Sequence, residues 1–187
     1  MNRNTLGGIL VSAMLALGWQ TSMAAEAGKS AAADLSRNAS ASLQQLYASV
    51  PAAKSLGPKA LAVLVFPKVT KAGLGVGGQY GEGALLKKGK AVGYYNTAGA
   101  SFGLQAGAQQ YSYALFFMNA QALGQLDKAE GFEVGIGPTV VVVDEGMAKS
   151  LTTTTMKDDI YAFIFGQKGL MAGFGIQGNK ITKINPK

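Results

Sequence analysis

Lysine, carboxylate and hydroxyl side chains must carry any chemistry in this sequence, because it contains no histidine and no cysteine. Ser-His-Asp and Cys-His catalysis, thiol redox chemistry and the usual zinc sites are therefore excluded. A Ser-Lys dyad or a carboxylate pair remains open, but Asp144-Glu145 and Asp158-Asp159 are adjacent residues. Neighbours on a strand point to opposite faces, so neither pair is a ready-made acid/base couple. No EF-hand-like spacing marks a calcium site, although loop carboxylates leave one open. We predict a protein that is not an enzyme, with no catalytic residue, no metal site and no cofactor.

A glycine motif from Gly73 to Gly78 satisfies G-x-G-x-x-G literally. The dinucleotide-binding form of this motif needs a helix directly after it and an acidic residue about 20 positions further on. Here the chain continues as glycine-broken strand. We therefore interpret the glycines as a source of curvature in a sheet.

Lysines give the strongest signal for a binding function. The candidate lipid-binding residues are Lys54, Lys59, Lys68, Lys71, Lys87, Lys88 and Lys90. The first four flank a predicted strand, and the last three crowd a predicted hairpin turn. Each ammonium group gains about 1 kcal/mol near an anionic membrane surface. The alternative is that they are solvated turn lysines that protect strand edges from aggregation. Nucleic acid is not an expected partner, because phosphate-reading proteins usually carry arginine as well.

The elements that position these lysines lie mainly between Lys59 and Asn119. Eleven glycines fall between Gly73 and Gly107, and each would cost about 1 kcal/mol in a helix relative to alanine. Apolar residues fill the gaps with a period near two, which indicates strands. We predict strands over 60–66, ended by Pro67, and over 73–80, 83–87, 90–95, 100–108 and 110–118. The second half of the last strand is predicted to be buried on both faces.

The beginning of the chain has the pattern of a secretory signal peptide. A basic residue, an uncharged apolar segment and small residues before Ala25 predict export after cleavage of residues 1–24. Residues 25–34 are predicted to form a flexible N-terminus, and residues 35–187 a single domain. Apolar residues three and four apart predict an amphipathic helix over 32–50, which packs on the sheet or lies on a membrane. A short helix over 51–56 is predicted to follow.

The second half of the chain alternates short strands with polar segments. We predict a helix over 120–128 capped by Asn119, strands over 132–136, 139–143, 160–165, 170–177 and 180–184, and a polar loop over 144–158. A GQKG turn separates two of these strands. The predicted fold class is a β-dominated α+β domain. It has one curled or barrel-like antiparallel sheet of short glycine-rich strands, an N-terminal amphipathic helix and a short second helix.

Several motifs, in order, resemble the SYLF domain family. They are AVLVFPKVTKAGLGVGGQYGEGALL, ASFGLQAGAQ, ALFFMN, the Gly137-Pro138 step, DIYAF and GLMAGFGIQG, and together they span about residues 35 to 185. This resemblance implies a lipid-binding domain without catalytic residues. Eukaryotic members bind phosphoinositides, yeast members regulate actin, and bacterial members are exported. The family's membrane-contacting N-terminal segment corresponds to residues 32–50. Tyr94-Tyr95 departs from the family pattern, which often has tryptophan there.

Two functions follow as expectations. The first is a periplasmic or secreted module that binds anionic, phosphoinositide-like lipid headgroups at a membrane surface through its lysines. For an exported chain we do not expect actin as a partner. The alternative is a structural cell-envelope protein whose glycine-rich sheet packs on copies of itself or on a protein partner.

Overall fold

The computed structural model describes residues 10–150, 157–166, 169–170 and 176–186. Its helices are α1 (Leu10–Ser49), α2 (Pro51–Leu56), α3 (Ala120–Leu123) and α4 (Glu145–Ser150). Its strands are β1 (Ala62–Lys87), β2 (Lys90–Phe117), β3 (Phe132–Glu133), β4 (Val140–Val143), β5 (Ile160–Gly166), β6 (Gly169–Leu170) and β7 (Lys180–Ile184). Two 3₁₀ turns, Gly57–Lys59 and Gly124–Asp127, extend α2 and α3.

Helix α1 is longer than the predicted amphipathic helix. It begins at Leu10 and covers residues 25–34, where the sequence predicts a flexible N-terminus. The segment is rich in alanine, which is the best helix former, and this corrects the predicted start of the helix. The expected cleavage before Ala25 and the expected domain limits remain predictions. The apolar residues of its C-terminal half, among them Leu43 and Leu46, pack on the sheet as predicted.

Strands β1 and β2 form one long hairpin instead of the five short strands that the sequence predicts for residues 73–118. They pair from Ala62 and Phe117 to Lys87 and Lys90, with irregular register at three places. The first irregularity lies between Phe66 and Val69, so the prediction that Pro67 ends a strand is wrong. A strand can pass through proline at a bulge, because the missing N–H is not needed there.

The β1–β2 hairpin folds back on itself between Gly73 and Gly77. An added Cβ at Gly81 would lie 2.7 Å from the Lys68 carbonyl oxygen, and one at Gly83 would collide with the Val65 carbonyl and the Phe66 ring. The two halves of β1 therefore run side by side in opposite directions and approach more closely than side chains allow. The glycines thus produce the curvature that the sequence indicates, without ending the strands.

The seven strands of the described residues form one curled, half-barrel sheet, which confirms the predicted fold class. The order β3-β7-β2-β5-β4 forms its main path, with β1 on β2 and β6 on β5. All of these pairs are antiparallel except β4 with β5, which is parallel, so the expectation of a purely antiparallel sheet is wrong. The segment between β4 and β5 contains α4, consistent with the longer connection that a parallel pair needs.

Alternate residues of the strands face two separate hydrophobic clusters. One cluster holds the buried residues of α1 and α2 together with Val63, Val65, Phe116 and Phe163. The other holds Leu64, Phe66, Tyr113, Leu115, Phe117 and Ile164 on the opposite face. Every residue from Tyr113 to Phe117 is fully buried, which confirms the prediction that this part of β2 is covered on both faces.

The remaining predictions for single elements have mixed outcomes. Helix α2 is present, and α3 begins at the predicted cap, where the Ala122 amide donates to Asn119 Oδ1 at 2.8 Å. Strands β4, β5 and β7 lie where predicted, whereas β3 has only two residues. The predicted polar loop begins with α4, because Asp144 caps that helix through the Met147 amide. Thr152–Thr155, the centre of the GQKG turn and most of the predicted strand 170–177 lie outside the described residues.

Asp159 joins the ends of three elements and should make the fold sensitive to acid. Its carboxylate accepts hydrogen bonds from the Thr139 amide (2.9 Å) and hydroxyl (3.0 Å) and from Asn119 Nδ2 (2.6 Å). These bonds, the Thr139 amide first, lower the pKa of Asp159 below its usual value. A lowered pKa stabilises the folded state above the unfolded value of about 3.9, and this contribution is lost as pH falls through the folded pKa.

We therefore expect Asp159→Asn to lower the melting temperature at pH 7 and to lower it less at pH 2. Glu130→Gln, a change at an exposed acidic residue, is the matched control. Thermal unfolding followed by circular dichroism at both pH values measures the difference. An Asp159→Asn effect that is equal at the two pH values would contradict this role.

Candidate functional site

The tip of the β1–β2 hairpin presents three lysines on a two-residue turn. Lys87 ends β1, Lys90 begins β2, and Lys88 and Gly89 form the turn between them. All three lysine side chains are exposed. We call these three residues the lysine tip. Because the turn is tight, the three lysines lie at neighbouring backbone positions. The positive electrostatic potentials of their ammonium groups therefore add.

The turn places a lysine in an unfavourable backbone conformation. Lys88 has φ 50° and Gly89 has φ 77°, and Lys88 is the one non-glycine residue with positive φ among the described residues. Turns with two positive φ angles prefer Asn, Asp or Gly at the first position. The left-handed conformation costs a lysine roughly 1 kcal/mol. The turn geometry therefore does not favour lysine at position 88, and its presence there favours a role for its charge.

The other four candidate lysines are distributed over the rest of the first strand and α2. Lys54 is exposed on α2, and Lys59 precedes β1. Gly83 in the second half of β1 lies against Val65 in the first half. Extending this antiparallel approach along both halves brings the lysine tip next to the beginning of β1. The tip is therefore at the same end of the sheet as Lys59. Lys68 and Lys71 lie towards the Gly73–Gly77 corner instead. Ten residues of strand, roughly 33 Å, separate that corner from the tip.

Two exposed apolar residues accompany the tip. Val92 is the extra residue of β2 where the register shifts between Leu85 and Leu86, and 56% of it is exposed. Leu61 directly precedes β1 and is 43% exposed. Lysines with adjacent apolar side chains are suited to an interface that is anionic at its surface and apolar beneath it.

A buried polar cluster lies between the strands of the hairpin and the turn before β7. It was not foreseen from the sequence. Tyr111 donates to Gln79 Oε1 (2.6 Å), Gln79 Nε2 donates to Asn179 Oδ1 (2.5 Å), and Tyr113 donates to Thr97 Oγ1 (2.6 Å). Asn179 Nδ2 has no hydrogen-bond partner among the residues that the structure describes, although Asn179 is fully buried. Alternation on β2 predicts buried tyrosines, which usually need a partner, but the partner here is far away in sequence.

Both tyrosines of this cluster are protonated at neutral pH, as an ordinary tyrosine is. Burial raises the pKa of Tyr111 further to about 12 and that of Tyr113 well above its usual range. Both hydroxyls are therefore donors at neutral pH. The cluster ties β1, both halves of β2 and the turn before β7 together, and so fixes the curled shape from which the lysine tip projects.

The fold and these groups define the class of protein. It is a curled α+β half-barrel with an exposed cationic turn, and no three potential metal-ligating acidic residues lie together in the described part of the chain. A family model described as Ysc84, Las17-binding protein actin regulator, matches residues 98–186. This match confirms the resemblance to the SYLF family over residues 98–186. No curated protein matches the chain significantly.

The matched residues begin at Ala98 in β2 and end two residues after β7. They include the Tyr111 and Tyr113 side of the buried polar cluster, whereas α1, β1 and the lysine tip precede them. Over the described residues, no helix combines the length and apolarity needed to cross a membrane. The apolar side of α1 is engaged with the sheet through Ala39, Leu43 and Leu46. A membrane contact by that side would require α1 to leave the sheet.

Proposed function

We propose that this protein is a non-enzymatic, exported module that associates with anionic lipid headgroups through the lysine tip. The observation that carries the proposal is the exposure of Lys87, Lys88 and Lys90 on one tight turn, beside the exposed Val92. Support comes from the lipid-binding, actin-regulator-like character of the SYLF family. The headgroups would be phosphoinositide-like in carrying several negative charges.

Electrostatics supports a weak and reversible association. Three ammonium groups near an anionic surface contribute about 3 kcal/mol in total, at about 1 kcal/mol each. The full sequence has a formal net charge of +7, and the chain beginning at Ala25 lacks Arg3 and so keeps +6, which adds a general attraction to such a surface. Salt shortens the range of both contributions, since the screening length is about 8 Å at physiological ionic strength.

Vesicle flotation tests this function. The chain beginning at Ala25 should float with vesicles that contain anionic lipid, remain unbound with neutral vesicles of phosphatidylcholine alone, and dissociate as salt is raised. Equal binding to both kinds of vesicle, or binding to neither, would contradict the proposal.

Lys88→Asn separates the function of the turn from its stability. Asparagine adopts positive φ more readily than lysine, so we expect the free energy of unfolding to rise by about 0.5–1 kcal/mol. We expect binding to anionic vesicles to fall at the same time, since one of three charges is lost. Urea unfolding and flotation of the same preparation measure both effects. Binding that rises together with stability would show that turn geometry, and not charge, governs the contact.

The alternative, a self-assembling envelope protein, is less well supported. Its basis is the exposure of large apolar residues, but these lie in separate elements: Leu61 before β1, Val76 and Tyr80 in β1, Val92 in β2, Ile136 after β3 and Met147 in α4. Singly exposed apolar residues are usual for soluble domains. Light scattering distinguishes the two functions, since the alternative requires oligomers that grow with concentration.

A further inference from the structure

A groove of about 190 Å³ opens between β7 and the end of the second 3₁₀ turn. Its lining consists of Leu126, Asp127, Lys128, Ala129, Thr182 and Lys183. Leu126 is buried, while the three charged residues are exposed.

The groove contains charges of both signs that do not neutralise one another. Within the described part of the chain, none of the charged residues of the groove forms an ion pair within 4.0 Å. Asp127, Lys128 and Lys183 thus share a small concave surface without pairing. The Asp127 carboxylate would repel a simple anion, and the two lysines would repel a simple cation.

We propose that this groove binds a zwitterionic phosphoamine, a group that carries a phosphate and a primary ammonium, as phosphoethanolamine does. Lys128 and Lys183 attract the phosphate, and the Asp127 carboxylate accepts from the ammonium. A ligand with both charges satisfies all three charged residues at once.

The groove lies on the same end of the sheet as the lysine tip. Lys183 pairs with Tyr95 and Ile184 with Tyr94 on β2. Four residues of strand, roughly 13 Å, separate Tyr94 from Lys90. A headgroup in the groove could therefore belong to the same membrane that the tip contacts. Only this choice of a lipid source rests on the proposed function, since the charges of the groove are independent of the tip.

Isothermal titration of the chain with four small probes tests the groove directly. The probes are phosphoethanolamine, phosphocholine, ethanolamine and inorganic phosphate. Phosphoethanolamine should bind best. Phosphocholine should bind about tenfold more weakly, because its methylated nitrogen has no N–H for Asp127, and a hydrogen bond to a charged group is worth about that factor. Asp127→Asn should abolish this preference, whereas Glu130→Gln should retain it.

Vesicles distinguish a lipid headgroup from a free metabolite. If neutral vesicles gain binding when phosphatidylethanolamine replaces phosphatidylcholine, the ligand is a headgroup. Binding of the free probe without this gain assigns the groove to a small molecule. No binding of phosphoethanolamine, or equal binding of inorganic phosphate, overturns the proposal.

The lysine-tip variant Lys87→Glu/Lys88→Glu/Lys90→Glu separates this inference from the proposed function. It should keep the affinity for free phosphoethanolamine even though it no longer binds anionic vesicles. Loss of phosphoethanolamine binding in a folded tip variant would refute an independent groove.

Discussion

Replacing Gly83 with alanine is expected to destabilise the protein by about 3 kcal/mol, in the upper part of the range for overpacked sites. A methyl group at this position would collide with the Val65 carbonyl oxygen and with the Phe66 ring. Backbone cannot move aside as the end of a flexible side chain can. The two halves of β1 would have to separate, which would open the hydrophobic clusters on both faces. Urea unfolding followed by tyrosine fluorescence measures the loss.

Gly78→Ala is the matched control in the same strand. The nearest atom to an added Cβ at Gly78 is the Gly99 carbonyl oxygen at 3.9 Å, an ordinary contact. This change should alter stability by less than about 0.5 kcal/mol, as is usual for a surface substitution. Equal effects of Gly78→Ala and Gly83→Ala would show that general strand flexibility, and not the close approach at Gly83, is what the glycines provide.

Asn179→Ala is expected to cost about 2 kcal/mol, because it removes the acceptor for Gln79 Nε2 inside the fold. The buried amide of Gln79 would lose its partner, and the order that it imposes on Tyr111 would weaken. Asn38→Ala, a change at an exposed residue of α1, is the control and should be close to neutral or slightly stabilising. Thermal and urea unfolding measure both variants.

An Asn179→Ala protein as stable as the parent chain would show that the cluster contributes no net stability. Tyr113→Phe gives a second, smaller test of the same cluster. It removes only the hydroxyl that donates to Thr97 and should cost about 1 kcal/mol.

The elements that the sequence predicts best are those whose pattern is local. The spacing of Leu43 and Leu46 identifies the buried side of α1, and Asn119 identifies the start of α3. The alternation around Tyr113 identifies a strand that is covered on both faces. Each depends on residues that are close in sequence, so composition and periodicity are sufficient.

Long-range geometry is what the sequence does not determine. Glycine density indicates curvature, but it does not reveal that residues 73–77 form one corner and that Gly81 and Gly83 form the contact. The direction of β4 relative to β5 is equally hidden, because the four valines of β4 would suit either direction. Pro67 misleads for the same reason, since a bulge supported by β2 lets the strand continue.

In the candidate site, too, the local features could be predicted and the long-range features could not. A turn at Lys88-Gly89 follows from the KKGK sequence, so the grouping of three lysines could be predicted. The position of Lys68 and Lys71 near the opposite corner could not, because it depends on the fold-back of the hairpin. The groove beside Asp127 and Lys183 also requires the structure, since its two sides are more than 50 residues apart in sequence. The cap on α4 could have been found, because Asp144 precedes the helix and Lys149 lies in its last turn.

Charge reversal of the lysine tip tests the central claim most directly. The variant Lys87→Glu/Lys88→Glu/Lys90→Glu is compared with Lys68→Glu/Lys157→Glu/Lys180→Glu, which changes the net charge equally at exposed residues outside the tip. In flotation with anionic vesicles, the tip variant should bind at least about a hundredfold more weakly, from about 1 kcal/mol for each lost lysine. The control variant should lose only a small part of its binding. Equal losses in the two variants would contradict a contact made by the hairpin tip.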